Sequence, residues 1–374
     1  MIRSSLRGSV ACVALATLGA SGCSKDEEEK PSFPLGTAHY PAKDPTAPQA
    51  SGPGVVIAMS RVYAGDSDLE FKKDPDAWPR FGLDIDGFDS KVGDSNLCAP
   101  FEYGIPEDSQ PDGPGGVDNS FGRNLISLME SVAPDPSKNI TASIDRGEVT
   151  FMLSLPNLGD QKTQNGIKAR LYAGAPRVPE GFDGSIFTDA GPEDSGIDAG
   201  PPCPACDPPK WDGNDEWPVV RETVKDGDID KPNVTFDDSY MVNGTFVSSP
   251  IADLPMSVPV RGFVLDLLVH KAVVVADVVG SGADLRVTNG KITGVLDREE
   301  VIHALKKAAF GLALCGPVNL LVKPVRWRAD MMNDGTQNSS AECNGISFGL
   351  GFEARPAKLG NIAPPAPDTG GVCD

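Results

Sequence analysis

The chain has 374 residues, with 33 basic against 53 acidic side chains for a formal charge of −20, 41 Gly, 34 Pro and 6% aromatics. A surface this negative cannot supply the basic groups that neutralise phosphates, so no nucleic-acid partner is expected. The Gly and Pro excess is above ordinary usage, yet too small for a chain disordered throughout; packed structure decorated by loops is expected.

Residues 1–22 carry Arg3 and Arg7, then an apolar run from Val10 to Leu18, then the small-residue end Leu18-Gly19-Ala20-Ser21-Gly22 before Cys23. This is the layout of a secretory signal, too short to span a bilayer as a mature helix. Small residues ending on cysteine resemble the lipobox of bacterial lipoproteins. The resemblance implies cleavage before Cys23, lipidation of Cys23 with palmitate-type chains, and, with Ser24 following, an outer-membrane address. Ordinary signal cleavage beside an incidental cysteine is the competing reading. Residues 23–54, acidic at Asp26 to Glu29 and then rich in Pro and Ala, lack any apolar period and read as a disordered tether.

A body from 55 to 356 follows. Val55 to Val62 predicts a first strand. From Trp78 to about Asn119 the chain is dense in Asp, Gly and Pro. Asn119 to Val132 predicts a helix, with Phe121, Leu125, Leu128 and Val132 at helical spacing and Pro134 and Pro136 ending it. Asp145 to Leu155 and Ile167 to Ala173 read as strands, the first alternating Val149, Phe151 and Leu153 against Thr150, Met152 and Ser154. Residues 176–210 form a low-complexity acidic and Pro-rich insertion, either inside one domain or linking two.

Beyond Trp211 strand signals dominate. Hairpins are expected at Asn243-Gly244 and at Asn289-Gly290, dipeptides that favour the positive φ of tight turns. Val258 to Val279 is broken by Arg261, Asp266, His270, Lys271 and Asp277 and reads as buried strands, not a span. Asp297 is a candidate N-cap with Glu300 completing a capping box, ahead of a helix that buries Val301, Leu305, Ala308, Ala309 and Leu312. Gly345 to Ala354 predicts a last strand with Ile346, Phe348, Leu350, Phe352 and Ala354 on one face and Ser347, Gly349, Gly351 and Glu353 on the other. Residues 357–374 read as a flexible tail. The fold class is mainly β: sandwich-like antiparallel sheets with about two accessory α-helices.

Six cysteines remain beyond Cys12 and Cys23, an even number that suits disulfides in an exported chain. Cys203 and Cys206 sit among prolines that exclude the helix a redox motif requires, so a loop staple is expected. Cys315 with Cys343 is the preferred long-range bridge.

Three chemistries deserve weighing. In Asp84-Ile85-Asp86-Gly87-Phe88-Asp89 and in Asp112 to Asn119, closely spaced carboxylates with glycine let oxygens converge on a hard cation, which makes Ca²⁺ the natural guest. These pieces resemble the Asp/Gly calcium loops of thrombospondin type 3 repeats, without their tandem spacing. The candidate ligands are Asp84, Asp86, Asp89, Asp112, Asp118 and Asn119. The bland alternative makes them turn residues and a helix cap. Gly65-Asp66-Ser67 resembles the nucleophile block of GDS-type esterases, but no late Asp-x-x-His supplies a base. Trp78, Trp211, Trp217 and Trp327 are candidates for a carbohydrate-stacking platform, with core packing the commoner use of such residues. The layout as a whole resembles uncharacterised bacterial envelope lipoproteins. It implies a membrane-anchored protein with a binding or structural role, possible carbohydrate or protein ligands, and no identified catalytic residue.

Overall fold

The computed structural model describes residues 39–130, 134–178, 203, 205–260, 263–311, 314–365 and 371–373. The signal segment, Cys23, the start of the tether and the centre of the insertion lie outside the described residues.

Alternation along the strands sorts side chains onto two faces, and pairing decides where those faces end up. Strands β1 (Val55–Tyr63), β2 (Thr150–Leu155) and β3 (Gln164–Gly174) form a meander; β5 (Val234–Val242), β6 (Thr245–Val247), β8 (Phe263–Val279), β9 (Arg286–Asp297) and β10 (Gly345–Ile362) continue it. The order β1-β2-β3-β5-β6-β8-β9-β10 returns to β1, antiparallel at every step. The molecule is therefore a closed eight-stranded barrel, not a sandwich. Closure is made by β1 and β10, paired from Val56 with Ala357 to Tyr63 with Gly351. β4 (Glu216–Val219) adds in parallel to the end of β10, and β7 (Ala252–Val260) forms a hairpin with the first half of β8.

The inward face is apolar and filled. Ile57, Phe151, Leu153, Ile167, Phe236, Phe246, Val274, Ile292, Ile346 and Phe348 belong to one cluster, and burial of each large side chain contributes about 1.5–3 kcal/mol. Strands on both sides of the insertion complete the same ring, and Gly174 pairs with Val219 across its base. It is thus an insertion within one barrel and not a linker between two domains.

Several local expectations change in tertiary context. The strand predicted from Asp145 begins at Thr150, because α3 (Pro136–Asp145) precedes it, with Pro136 at its first turn and Ile140 and Ile144 buried. The helix predicted over Asn119 to Val132 appears as a π-type turn, Phe121–Leu125, running into α2 (Ile126–Met129). Short α1 (Pro106–Ser109) lies in the acidic loop.

The hairpin at Asn243-Gly244 forms, with φ of 51° and 88°. Asn289-Gly290 does not reverse the chain. Both flanks stay paired with β8 and β10, and the register shift there marks a bulge within β9. α4 (Arg298–Gly311) starts where expected, with Asp297 Oδ1 accepting the Glu299 N–H at 2.8 Å. Glu300 turns instead to His270 Nε2, 2.9 Å away. α5 (Cys315–Asn319) and α6 (Val322–Arg326) follow.

The C-terminal residues also depart from the expected tail. β10 runs on to Ile362, and Cys373 returns to pair with Cys315. At the other end, Ala50 donates to the Asn165 carbonyl at 2.7 Å and Gly52 to that of Asn157 at 3.0 Å, so this part of the predicted tether lies on the barrel.

The disulfides are Cys98–Cys343, Cys203–Cys206 and Cys315–Cys373. The loop staple is as expected; Cys315–Cys343 is not. Cys343 is claimed by Cys98, because Ala99 and Cys343 lie side by side, the Cys343 N–H reaching the Ala99 carbonyl at 2.9 Å. Three disulfides mark the chain as extracytoplasmic. Among the described residues no helix is long and apolar enough to cross a membrane, which says nothing of β-barrels.

Candidate metal centre

The outward face of β10 sets where the acidic loops sit. Its Ser347, Gly349, Gly351 stripe carries little side-chain bulk. A Cβ on Gly351 would lie 2.2 Å from Phe81 Cδ1, and one on Gly349 2.7 Å from the Phe81 carbonyl oxygen. Only glycine lets the 3-10 turn Trp78–Phe81 and the Asn119 turn press against the strand. On the neighbouring strand, Lys291 donates to the Gly82 carbonyl at 3.1 Å, and Leu83 packs with Val273 and Val275 of β8. The segment after Phe81 is therefore fixed before its aspartates begin.

From this base the two acidic loops fold onto each other. Asp118 N–H donates to the Leu83 carbonyl at 2.9 Å, and Asp118 Oδ2 accepts the Ile85 N–H at 2.7 Å. Gly116, with φ of +84°, passes so close to Phe88 that a Cβ would lie 2.5 Å from its carbonyl oxygen. Asp84, Asp86 and Asp118 each present a carboxylate oxygen, and these atoms lie within 4.8 Å of one another. This group could hold a metal ion. Its donors are all oxygen, the preference of hard cations such as Ca²⁺ and Mg²⁺.

The remaining predicted ligands divide. Asp112 is not one of the three that converge: its Oδ2 accepts the Ser90 N–H at 2.6 Å, and it lies near enough for its charge to act on Asp118. Asp89 stays outside, exposed and 4.0 Å from Lys91. Asn119 is consumed as a positioning residue: its Nδ2 donates to the Trp78 carbonyl at 3.0 Å, and its Oδ1 accepts the Gly122 N–H at 2.9 Å.

Three further groups come from parts of the chain with no acidic motif. Asp330 is held by Ser347, whose N–H and hydroxyl donate at 2.8 and 2.5 Å. Gln337 Nε2 bridges Asp86 Oδ2 at 2.7 Å and the Asp330 carbonyl at 3.1 Å. His39 Nδ1 stands 3.7 Å from Asp84. No local pattern announces any of them, because each arrives through β10, the Cys98–Cys343 bridge or the segment that precedes β1.

Crowding shows in the electrostatics. Burial pushes Asp118 well above the usual carboxylate range, and the charges of Asp86, Asp112 and Asp330 push it further. Burial, with a contribution from Asp86, lifts Asp112 to about 6. Burial likewise lifts Asp330 to about 7, the carboxylates of Asp112 and Asp86 adding to it. Asp84 is raised too, chiefly by burial. A bound cation would remove this conflict, since it favours every charged form at once.

The other sequence candidates resolve differently. Ser67 is 3% exposed and its hydroxyl has no partner, while Asp66 bonds to the Ser137 hydroxyl. His270 lies between Glu300 and Asp253. Trp217 is fully buried, and Asp215 caps its own loop by accepting the Lys210 and Trp211 N–H groups at 2.9 and 2.6 Å. That loop is a packed turn and not an aromatic platform.

No family model matches the chain, and neither a curated protein nor a solved structure matches it.

Proposed function

We propose that this is an exported lipoprotein, anchored at the cell envelope through lipid on Cys23, whose barrel serves a binding or structural role and is held in shape by a divalent cation, Ca²⁺ by its ligand chemistry. The observation that carries the cation is the convergence of Asp84, Asp86 and Asp118 within 4.8 Å. Asp84 and Asp86 also serve their turn by accepting the Gly87 and Phe88 N–H groups at 2.6 and 2.9 Å, while Asp118 comes from more than thirty residues away to complete the oxygen set. The anchor rests on the sequence ending in Cys23, and the disulfides agree with the compartment it implies.

Extracytoplasmic calcium modules bind at about 10⁻⁴–10⁻³ M, and a ligand at twenty times its dissociation constant stabilises the native state by about 2 kcal/mol. Adding about 2 mM Ca²⁺ to chelated protein should therefore raise the melting temperature by several degrees. An unchanged melting temperature at about ten times that concentration would remove the cation from the reading. Cys23→Ser should move the protein from the membrane to the soluble fraction; unaltered fractionation would remove the anchor.

A further inference from the structure

We infer that a second cation position adjoins the first, in the cleft between Asp112 and Asp330, with the Ser109 hydroxyl as a neutral ligand. This rests on the cation reading above and extends it.

Ser109, at the end of α1, is 5% exposed, and its Oγ has no hydrogen-bond partner. It lines a cleft together with Asp112, Arg123, Asn124 and Asp330. A buried hydroxyl left unsatisfied is costly, so an atom that accepts its lone pair or its proton is called for. The free volume inside, about 10 Å³, admits one water-sized body and no organic ligand.

Charge separates a cation from a water there. Asp84, Asp86, Asp112, Asp118 and Asp330 bring five carboxylates to one locale. With all five ionised, the form a bound cation favours, one divalent ion at the first position leaves three of those charges unmatched and a second leaves one. Water would satisfy the hydroxyl but neutralise nothing.

Arg123, the cation on the cleft wall, is directed elsewhere. Its Nη1 donates to the Pro111 carbonyl at 2.7 Å, its Nη2 reaches the Glu107 carbonyl at 3.4 Å, and its guanidinium lies 5.4 Å from the Trp78 ring centroid. Asp330 accepts one bond on each oxygen, both from Ser347, and Asp112 Oδ2 accepts one from Ser90. Each of these oxygens keeps a lone pair for a metal. The donor set is wholly oxygen, as for the first position.

Equilibrium dialysis of the chelated full chain against Ca²⁺ tests this directly. Two ions should bind per chain. Ser109→Ala, which breaks no hydrogen bond in the protein, and Asp330→Asn should each weaken one binding event at least tenfold and spare the other; Asp86→Asn should weaken the event they spare. If Asp330→Asn fails to fold, Ser109→Ala alone decides. A single ion lost on Asp86→Asn and indifferent to Ser109→Ala overturns the second position and leaves the first standing. No binding at millimolar Ca²⁺ overturns both.

Discussion

Ser347, on the outer face of β10, donates its hydroxyl to Asp330 at 2.5 Å, while the same oxygen accepts the Ser120 N–H at 2.7 Å. One side chain thereby ties the barrel wall to the carboxylate cluster and to the turn that carries Asp118. Hydrogen bonds to charged groups contribute about 1.5–3 kcal/mol each. Ser347→Ala should destabilise the protein by about 2 kcal/mol in urea denaturation, and a change within about 0.5 kcal/mol would show the two parts to be held independently.

Gly351 makes the close approach possible. Gly351→Ala places a methyl against the Phe81 ring, where a Cβ would stand 2.2 Å from Cδ1. Overpacking of this kind costs about 1–3 kcal/mol. The variant should lose that stability and bind Ca²⁺ more weakly, because the acidic loop starts directly after Phe81. Full stability together with full affinity would mean that the ring simply rotates away.

Asp118 and Asp89 provide a matched pair. Both were candidate ligands, but Asp118 is 2% exposed within the cluster, and Asp89 is solvated beside Lys91. Without an ion, neutralising Asp118 relieves repulsion from Asp86, Asp112 and Asp330. In chelator, Asp118→Asn should melt at or above the wild-type temperature; in Ca²⁺ it should lose the part of the wild-type rise that the ion at the first position supplies. Asp89→Asn should retain that rise in full. The reverse pattern, measured by calorimetric scans, would move the site to the exposed end of the loop.

His270 offers a pH handle remote from the cluster. Partial burial opposes its protonation, but Glu300 at 2.9 Å and Asp253 at 3.5 Å outweigh this, and its pKa is raised above 6.5. A raised folded-state pKa means that the stabilisation is fully present below the unfolded value and disappears as pH rises through the folded one. The pair is largely exposed, so its worth is about 0.2–1 kcal/mol. Glu300→Gln should melt lower than wild type at about pH 5.5, below the unfolded-state value, and coincide with it at about pH 9. A gap that persists at the alkaline end would assign the effect to helix packing.

Much of the barrel was legible in local patterns. The β10 alternation of Ile346, Phe348 and Leu350 against Ser347, Gly349 and Gly351 is borne out residue by residue. So are the turn at Asn243-Gly244 and the cap at Asp297. Where local signals misled, pairing on both sides was the cause. Asn289-Gly290 has the chemistry of a reversal, yet β8 and β10 hold the strand straight through it. Spacing along the chain favours Cys315 with Cys343, but a cysteine is bonded by its spatial neighbour, and the pairing of Ala99 with Cys343 brings Cys98 there.

By itself, the sequence determined which stretches alternate, which loops are acidic, and that the Asp84–Asp89 and Asp112–Asn119 loops offer the oxygen donors a hard cation prefers, because each of these is a property of neighbours along the chain. Closure of the sheet, the choice of disulfide partners and the arrival of Asp330 and Gln337 beside those aspartates were decided only by the tertiary structure. These depend on groups as far apart as Asp86 and Gln337, which meet because β10 carries on its bare outer face a stripe that the acidic loop can reach. No period in the chain encodes that distance; the barrel does, by fixing both ends against one wall.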